Sequence, residues 1–201
     1  MQELTGDTTT FNKFDKTEIR AKQSKACLGF LAINILSPPK GAKWGVFNDR
    51  KLNDDAVRKL VDGFKADLEN CTDKTAIDVA MRKRWLKGGM TDKFHGSVEG
   101  LRIQDVHKVE LNEQGEKEME AELMWMLGGN HRRAALEIFV KDKTDEIEKA
   151  KKDIAKAKKR GEGDESANSL AASIKKLEDE VEKASWWAIR VYDRGEHADA
   201  T

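Results

Sequence analysis

The chain has few cysteines, no long apolar run and no excess of charge of either sign. Its two cysteines, Cys27 and Cys71, lie far apart and outside any metal-type spacing, which is typical of proteins in a reducing compartment. No stretch approaches the roughly 18 consecutive apolar residues of a membrane helix, and the polar first ten residues lack the pattern of a signal peptide. We therefore expect no membrane segment and an intracellular location, cytoplasmic or nuclear.

The charges are abundant but balanced. Lysine plus arginine and aspartate plus glutamate number 37 each, so the formal net charge is +0, which argues against a dedicated nucleic-acid binder. Charged residues make up 37% of the chain and the mean hydropathy is −0.72, so we expect an exposed, charge-rich element. The four histidines are scattered without ligand spacing, and no metal site is predicted.

The most informative stretch is residues 128–133, a pair of glycines and an asparagine followed by three basic residues. Residues 121–127 form an apolar run of strand length, and Ala135, Leu136 and Phe139 then recur at helical spacing. The pattern predicts a strand, a glycine turn and a helix that begins near Asn130.

Such a turn suits an anion. Glycines let the backbone approach a ligand, and the first amides of a helix have no partner within it. Cations at a helix N-terminus are unfavourable unless an anion offsets them, which favours an anion site here. The alternative interpretation is a glycine turn followed by a solvated basic first turn. The candidate ligands are Gly128, Gly129, Asn130, His131, Arg132 and Arg133.

Composition divides the chain into three parts: a polar arm at residues 1–26, one domain at residues 27–192, and a polar tail at residues 193–201. Within the domain, heptad-spaced apolar residues on both sides of a glycine turn predict an antiparallel helical hairpin at residues 143–184. The hairpin is either a solvated surface element or a docking arm for a partner protein or a second copy of the chain.

Five further segments complete the predicted domain. The strongest is a helix at residues 53–68, which has Asn53 as its cap and apolar residues at helical spacing. Strands are predicted at residues 27–36, 76–81 and 186–192, whereas residues 97–111 are ambiguous between strand and helix.

In this order the elements resemble the sulfiredoxin/ParB-like superfamily. The stretch LNDDAVRKLVDGF at residues 52–64 is similar to the family's first helix, and AIDV at residues 76–79 to its next strand. The stretch GGNHRRAA at residues 128–135 is close to the sulfiredoxin Gly-Gly-Cys-His-Arg element and, more distantly, to the Gly-x-Arg-Arg box of ParB proteins. The charged hairpin then looks like an insertion before the last strand.

The resemblance implies a small mixed-sheet α/β (α+β) domain that binds a nucleotide such as ATP, ADP or CTP, with Mg²⁺ as a companion ion. The phosphates would lie on the glycine turn, with Lys59 replacing a lost donor and Arg50 as a further ligand. Asn130 stands where sulfiredoxin has its reducing cysteine, and an amide cannot act as that nucleophile. Sulfinate reduction is therefore not expected.

Three functions remain open at this point. The first is a nucleotide-dependent phosphotransferase or hydrolase, in which Asp78 or Asp55 positions the acceptor. The second is a non-catalytic, nucleotide-gated or scaffold module. The third is a ParB-like nuclease or nucleic-acid-binding domain using the basic residues 82–87 around Trp85, which the neutral net charge disfavours.

Overall fold

The computed structural model describes residues 23–44, 51–122, 124–160 and 164–195. Within these ranges, five strands form one mixed sheet and α-helices pack against it, which confirms the expected α/β class. The strands are β1 (Cys27–Asn34), β2 (Ala42–Trp44), β3 (Ile77–Met81), β4 (Met124–Met126) and β5 (Trp186–Asp193). After a helical stretch at residues 23–26, the helices are α1 (Asp54–Ala66), α2 (Glu113–Glu122), α3 (Asn130–Arg160) and α4 (Asp164–Ser185).

The strand order across the sheet is β1-β5-β3-β4-β2. The β1–β5 and β3–β4 pairs are antiparallel, whereas β5–β3 and β4–β2 are parallel. Because β4 pairs antiparallel with β3, the residue after β4 lies beside the start of β3, where Leu127 N donates to the Asp78 carbonyl at 2.9 Å. The sheet therefore fixes the position of the glycine turn.

The two faces of the sheet are covered by different parts of the chain. Alternation along β3 sends Ile77 and Val79 into the core shared with α1 and α3, while Asp78 lies on the opposite face. Residues 98–106 supply most of the apolar side chains that cover part of that opposite face, around Phe30 and Ala188, whereas residues 85–90 join the core that contains Ile77 and Val79. Side chains on β3 thus alternate between the two faces of the sheet.

Helix α1 forms for local reasons. Asn53 caps it, since its side-chain oxygen accepts a hydrogen bond from Ala56 N at 3.0 Å. The negative charges of Asp54 and Asp55 in the first turn also stabilise the helix by interacting with the positive end of its dipole. Its apolar stripe is buried against the core through Val57 and Phe64, among others. The predicted helix and cap are confirmed, although the helix ends at Ala66 rather than at residue 68.

Helix α3 is continuous over 31 residues, so the hairpin predicted at residues 143–184 does not begin as a separate element after the helix predicted from Asn130. No glycine or proline interrupts residues 130–160, and the Thr144 hydroxyl donates to the Val140 carbonyl at 2.8 Å without breaking the helix. The helix that begins at the glycine turn is therefore also the first arm of the hairpin.

Three local predictions need correction. Residues 121–122 end helix α2 instead of beginning a strand. The charged segment before them is helical but has no apolar stripe from which the helix could be predicted. Strand β2 was missed, since three residues form a strand only by pairing with β4. Residues 97–111 hold one short 3₁₀ helix, Ile103–Asp105, and isolated bridges to neighbouring segments. Among the described helices, none is both long and apolar enough to cross a bilayer.

Candidate functional site

The glycine turn joins β4 to α3 in the predicted order. Gly129 has φ +91°, and a Cβ placed there would lie 3.0 Å from Ile77 Cδ1 and 3.2 Å from Trp44 Cζ3. Glycine is therefore required by both the backbone conformation and the space. Arg133 N donates to the Gly129 carbonyl at 2.8 Å, so the three preceding amides, from Asn130 onward, have no acceptor within the helix.

A second helix begins beside this turn. The backbone N–H of Asn53, the cap of α1, donates to His131 Nε2 at 3.1 Å across 78 positions of sequence. The N-termini of α1 and α3 therefore meet, and we call this place the α1–α3 junction.

The two arginines of the motif lie in different environments. Arg132 Nη1 donates to the Thr75 carbonyl at 2.7 Å, and its guanidinium lies 5.9 Å from the Trp187 ring centroid. Burial lowers the pKa of Arg132, against a smaller opposing effect of Asp78. Arg132 is thus an internal anchor between α3 and the segment before β3.

Arg133 is the more accessible of the two. Its Nε donates to Glu137 at 3.0 Å, its guanidinium lies 5.4 Å from the Trp44 ring centroid, and its side chain is 39% exposed. An exposed ion pair one helical turn apart is weak and gives way easily to a stronger acceptor. Arg133 is therefore the arginine that is free to reorient toward a ligand at the turn.

The indole of Trp44 packs beside the turn through the edge of its six-membered ring, with Cζ3 3.2 Å from the position of a Gly129 Cβ. Its Nε1 lies on the opposite edge of the indole, is shielded from solvent, and has no acceptor within hydrogen-bonding distance in the described ranges. A buried donor without an acceptor typically costs about 1–3 kcal/mol. No local pattern predicts the packing of Trp44 on the turn, because it joins distant parts of the chain.

The predicted carboxylates separate into two locations. Asp78 lies on the face of the sheet opposite α3 and accepts a bond from Arg190 Nη1 at 3.1 Å. Burial raises the pKa of Asp78, and the nearby Arg190 and Arg132 oppose that rise. Asp55 instead follows Asn53 in the first turn of α1 and is exposed, as is Lys59 one turn later. Arg50 lies outside the described residues.

The basic stretch at residues 82–87, whose use as a nucleic-acid contact the neutral net charge disfavours, does not expose its aromatic residue for stacking. Trp85 is fully buried, and its Nε1 donates to Glu118 at 2.8 Å. The same carboxylate accepts from Arg84 at 2.9 Å, and Lys87 pairs with Glu110 at 3.2 Å. These residues hold α2 to the domain and leave no aromatic face for a base.

Within the described ranges, no three histidine, cysteine, aspartate or glutamate side chains come together as a set that could hold a metal ion. Comparisons with family models, with curated proteins and with solved structures found no match to this chain. The functional argument therefore rests on the geometry of the junction and on the motif itself.

Proposed function

We propose that the chain binds the phosphate groups of a nucleotide at the α1–α3 junction, as its resemblance to the sulfiredoxin/ParB-like superfamily implies. The observation that carries the proposal is the hydrogen bond from Asn53 N to His131 Nε2, which brings two helix N-termini together. Each helix N-terminus carries about half a positive elementary charge and unpaired N–H groups. The N-terminal end of α3 carries no acid in its first turn, so its positive end faces a ligand directly, whereas Asp54 and Asp55 already offset part of the positive end of α1.

The turn also offers room and donors. A Cβ added at Gly128 would meet nothing within 4 Å, so the space in front of this glycine is open. Arg133 can then supply hydrogen bonds beside the turn. A phosphate at this place would accept from Arg133 and from the first amides of α3, which have no acceptor within the helix.

Within this proposal, Asp55 is the preferred carboxylate for a phosphotransferase or hydrolase. It follows Asn53 at the same helix end, whereas Asp78 lies across the sheet and is paired with Arg190. Asp54 and Asp55 also carry the oxygen ligands that Mg²⁺ prefers when it accompanies a nucleotide. Catalysis therefore predicts Mg²⁺-dependent turnover that is lost in Asp55→Asn and retained in Asp78→Asn.

A non-catalytic, nucleotide-gated module is the second candidate, and one observation favours it. Helix α3 begins at the junction and runs without interruption into the hairpin. A ligand that orders the first turn of α3 would therefore act directly on the helix that forms the first arm of the hairpin. This candidate predicts nucleotide binding without turnover.

The binding test is calorimetry with ATP, ADP, CTP and GTP, each with and without Mg²⁺, on the full chain and three variants. Asn130→Asp places a negative charge at the start of α3, which should stabilise the free protein by about 0.3–1 kcal/mol and yet repel a phosphate. Arg133→Gln should also weaken binding. Glu137→Gln is the matched control, because it releases Arg133 from its ion pair and should leave binding equal or tighter.

For Asn130→Asp the expected change in stability is a gain and the expected change in nucleotide affinity is a loss, which makes the result decisive. A variant that folds more stably and binds more weakly cannot owe its loss of binding to misfolding. Binding that is unchanged in both Asn130→Asp and Arg133→Gln would place the ligand elsewhere. No heat and no thermal shift with any of the four nucleotides would refute the proposal.

A further inference from the structure

A groove lies at the other end of α1, where the root of the hairpin meets the sheet domain. Two adjoining cavities of about 610 Å³ and 310 Å³ share Ile103, Gln104 and Lys183 and so form one groove. Pockets that hold organic ligands typically measure about 300–1,000 Å³. The groove is therefore large enough for a small molecule or for a few side chains of a peptide.

The floor of the groove contains aromatic and aliphatic side chains among polar ones. Phe64 and Phe139 line the larger cavity and pack edge to face at a centroid distance of 6.3 Å, while Trp186 lines the smaller one. Asn70 fixes the walls, because its buried side-chain Nδ2 donates to the Lys183 carbonyl at 2.9 Å and to the Trp186 carbonyl at 2.8 Å. This floor is ordered by the fold itself, so a ligand would not have to organise it.

The uncompensated charges around the groove are mainly negative. Most lining cations already have partners: Lys65 pairs with Asp142 at 2.8 Å and Lys143 with Glu180 at 3.2 Å. Four lining acids have no ion-pair partner among the described residues, against two lining cations. The acids are Asp67, Glu69, Asp179 and Glu182, and the cations are Lys108 and Lys183.

Two helix ends add to this negative potential. Helices α1 and α4 finish at Ala66 and Ser185, and residues from the last turn of each line the groove. The carbonyl end of a helix carries about half a negative charge, which favours a cation. The electrostatic preference is thus the reverse of that at the α1–α3 junction.

The chain already seats one ammonium group in this groove. Lys108 Nζ lies 3.9 Å from the centroid of the Trp186 ring, the distance at which an aromatic face attracts a cation. Both residues line the smaller cavity together with Asp179 and Glu182. The position of Lys108 therefore shows that the Trp186 side of the smaller cavity can hold an ammonium group.

We propose that the groove binds an organic cation: an ammonium or guanidinium group on an apolar stem. The cation lies on Trp186 beside Asp179 and Glu182, and the stem follows the floor toward Phe64 and Phe139. A free amine and a basic side chain of a bound peptide share this chemistry. The site is independent of the nucleotide proposal, so either can fail alone.

The direct test is a titration of the full-length protein observed by NMR through the indole N–H of Trp186, assigned with Trp186→Phe. Hexylammonium is the probe, hexanoate and hexanol are matched controls, and a Leu-Lys peptide with its lysine-acetylated form tests the peptide source. Hexylammonium should bind at least about tenfold more tightly than hexanoate, and salt should weaken it. Equal binding of hexylammonium and hexanoate would overturn the proposal.

Two variants with opposite expected effects make the test specific. Lys108→Met removes the competing ammonium and should tighten hexylammonium binding about two- to fivefold. The double variant Asp179→Asn, Glu182→Gln should weaken it, whereas Glu113→Gln, Glu116→Gln makes the same charge change on the distant helix α2 and should not. A Lys108→Met variant that binds no better than the unmodified chain would refute the assigned position of the cation.

Discussion

The two ends of helix α1 face opposite chemical environments. At its N-terminus, Asn53 meets the start of α3, and the first amides of α3 and the Arg133 side chain lie at the same place. At its C-terminus, near Lys65, the end of α4 comes close, and carboxylates lie above a floor that contains aromatic side chains. One short helix thus separates the place proposed for an anion from the place proposed for a cation.

The two ends are also built by different means. The junction depends on backbone geometry, since Gly129 must adopt φ +91° against Ile77 and Trp44. The groove depends on a side chain, because Asn70 joins the C-terminal end of α4 to the loop after α1. Substitutions at Gly129 and Asn70 should therefore break the two ends separately.

The largest effect is expected at Asn70. Asn70→Asp replaces a buried donor with a carboxylate facing the carbonyls of Lys183 and Trp186, which should lower the free energy of unfolding by at least about 3 kcal/mol. Urea denaturation measures the loss. Asn70→Ala, which removes the donor without adding a charge, should lose less, and equal losses would contradict the assigned bonds.

The next largest effect should distinguish the two arginines of the junction. Arg132→Met leaves the Thr75 carbonyl without its charged donor and should lower the free energy of unfolding by about 1.5–3 kcal/mol. Arg133→Met breaks only an exposed pair with Glu137 and should lose less than about 1 kcal/mol. Losses in the reverse order would show that Arg132 is not the internal anchor.

A smaller effect is expected at the glycines. Gly129→Ala should lower the free energy of unfolding by about 1–2 kcal/mol, because an alanine is strained at φ +91° and its Cβ crowds Ile77 and Trp44. Gly128→Ala is the matched control, since its Cβ meets nothing within 4 Å and it should change stability little. If the two substitutions have equal effects in urea, the described turn is incorrect.

The smallest effect is a pH dependence at Asp78. Since burial raises its folded-state pKa, the folded protein holds this proton more tightly than the unfolded chain, and stability falls as pH rises from about 4 through the raised pKa. Relative to Asp78→Asn, the unmodified chain should lose less than about 1 kcal/mol across this range, because the carboxyl is half exposed. If the unmodified chain instead gains stability relative to Asp78→Asn as the pH rises, the pairing with Arg190 lowers the pKa of Asp78 more than burial raises it.

Local signals predicted much of the fold. The cap at Asn53, the apolar stripe of α1, the heptads of the hairpin and the order of strand, turn and helix at Gly129 all depend on neighbouring residues, and the structure has them. The alternation that sends Asp78 away from Ile77 is equally local. A pattern of period 2 or 3.6 is enough to anticipate such features.

The partners of the site residues could not be predicted in this way. Arg132 and Thr75 are 57 positions apart, and His131 and Asn53 are 78 apart, so sequence alone shows two basic residues but not that both are engaged in internal bonds. Strand β2 and the contact of Trp44 with Gly129 likewise exist only through tertiary pairing. The groove was not anticipated, because its walls come from four separate segments.

The most direct test of the central claim is an NMR titration of the ¹⁵N-labelled chain with ATP and Mg²⁺, observed at the backbone amides of both ends of α1. Binding at the junction predicts saturable shifts at Gly129, Asn130 and His131, with Lys65 and the Trp186 indole unchanged. Shifts confined to the groove, or none at any of these amides, would contradict it.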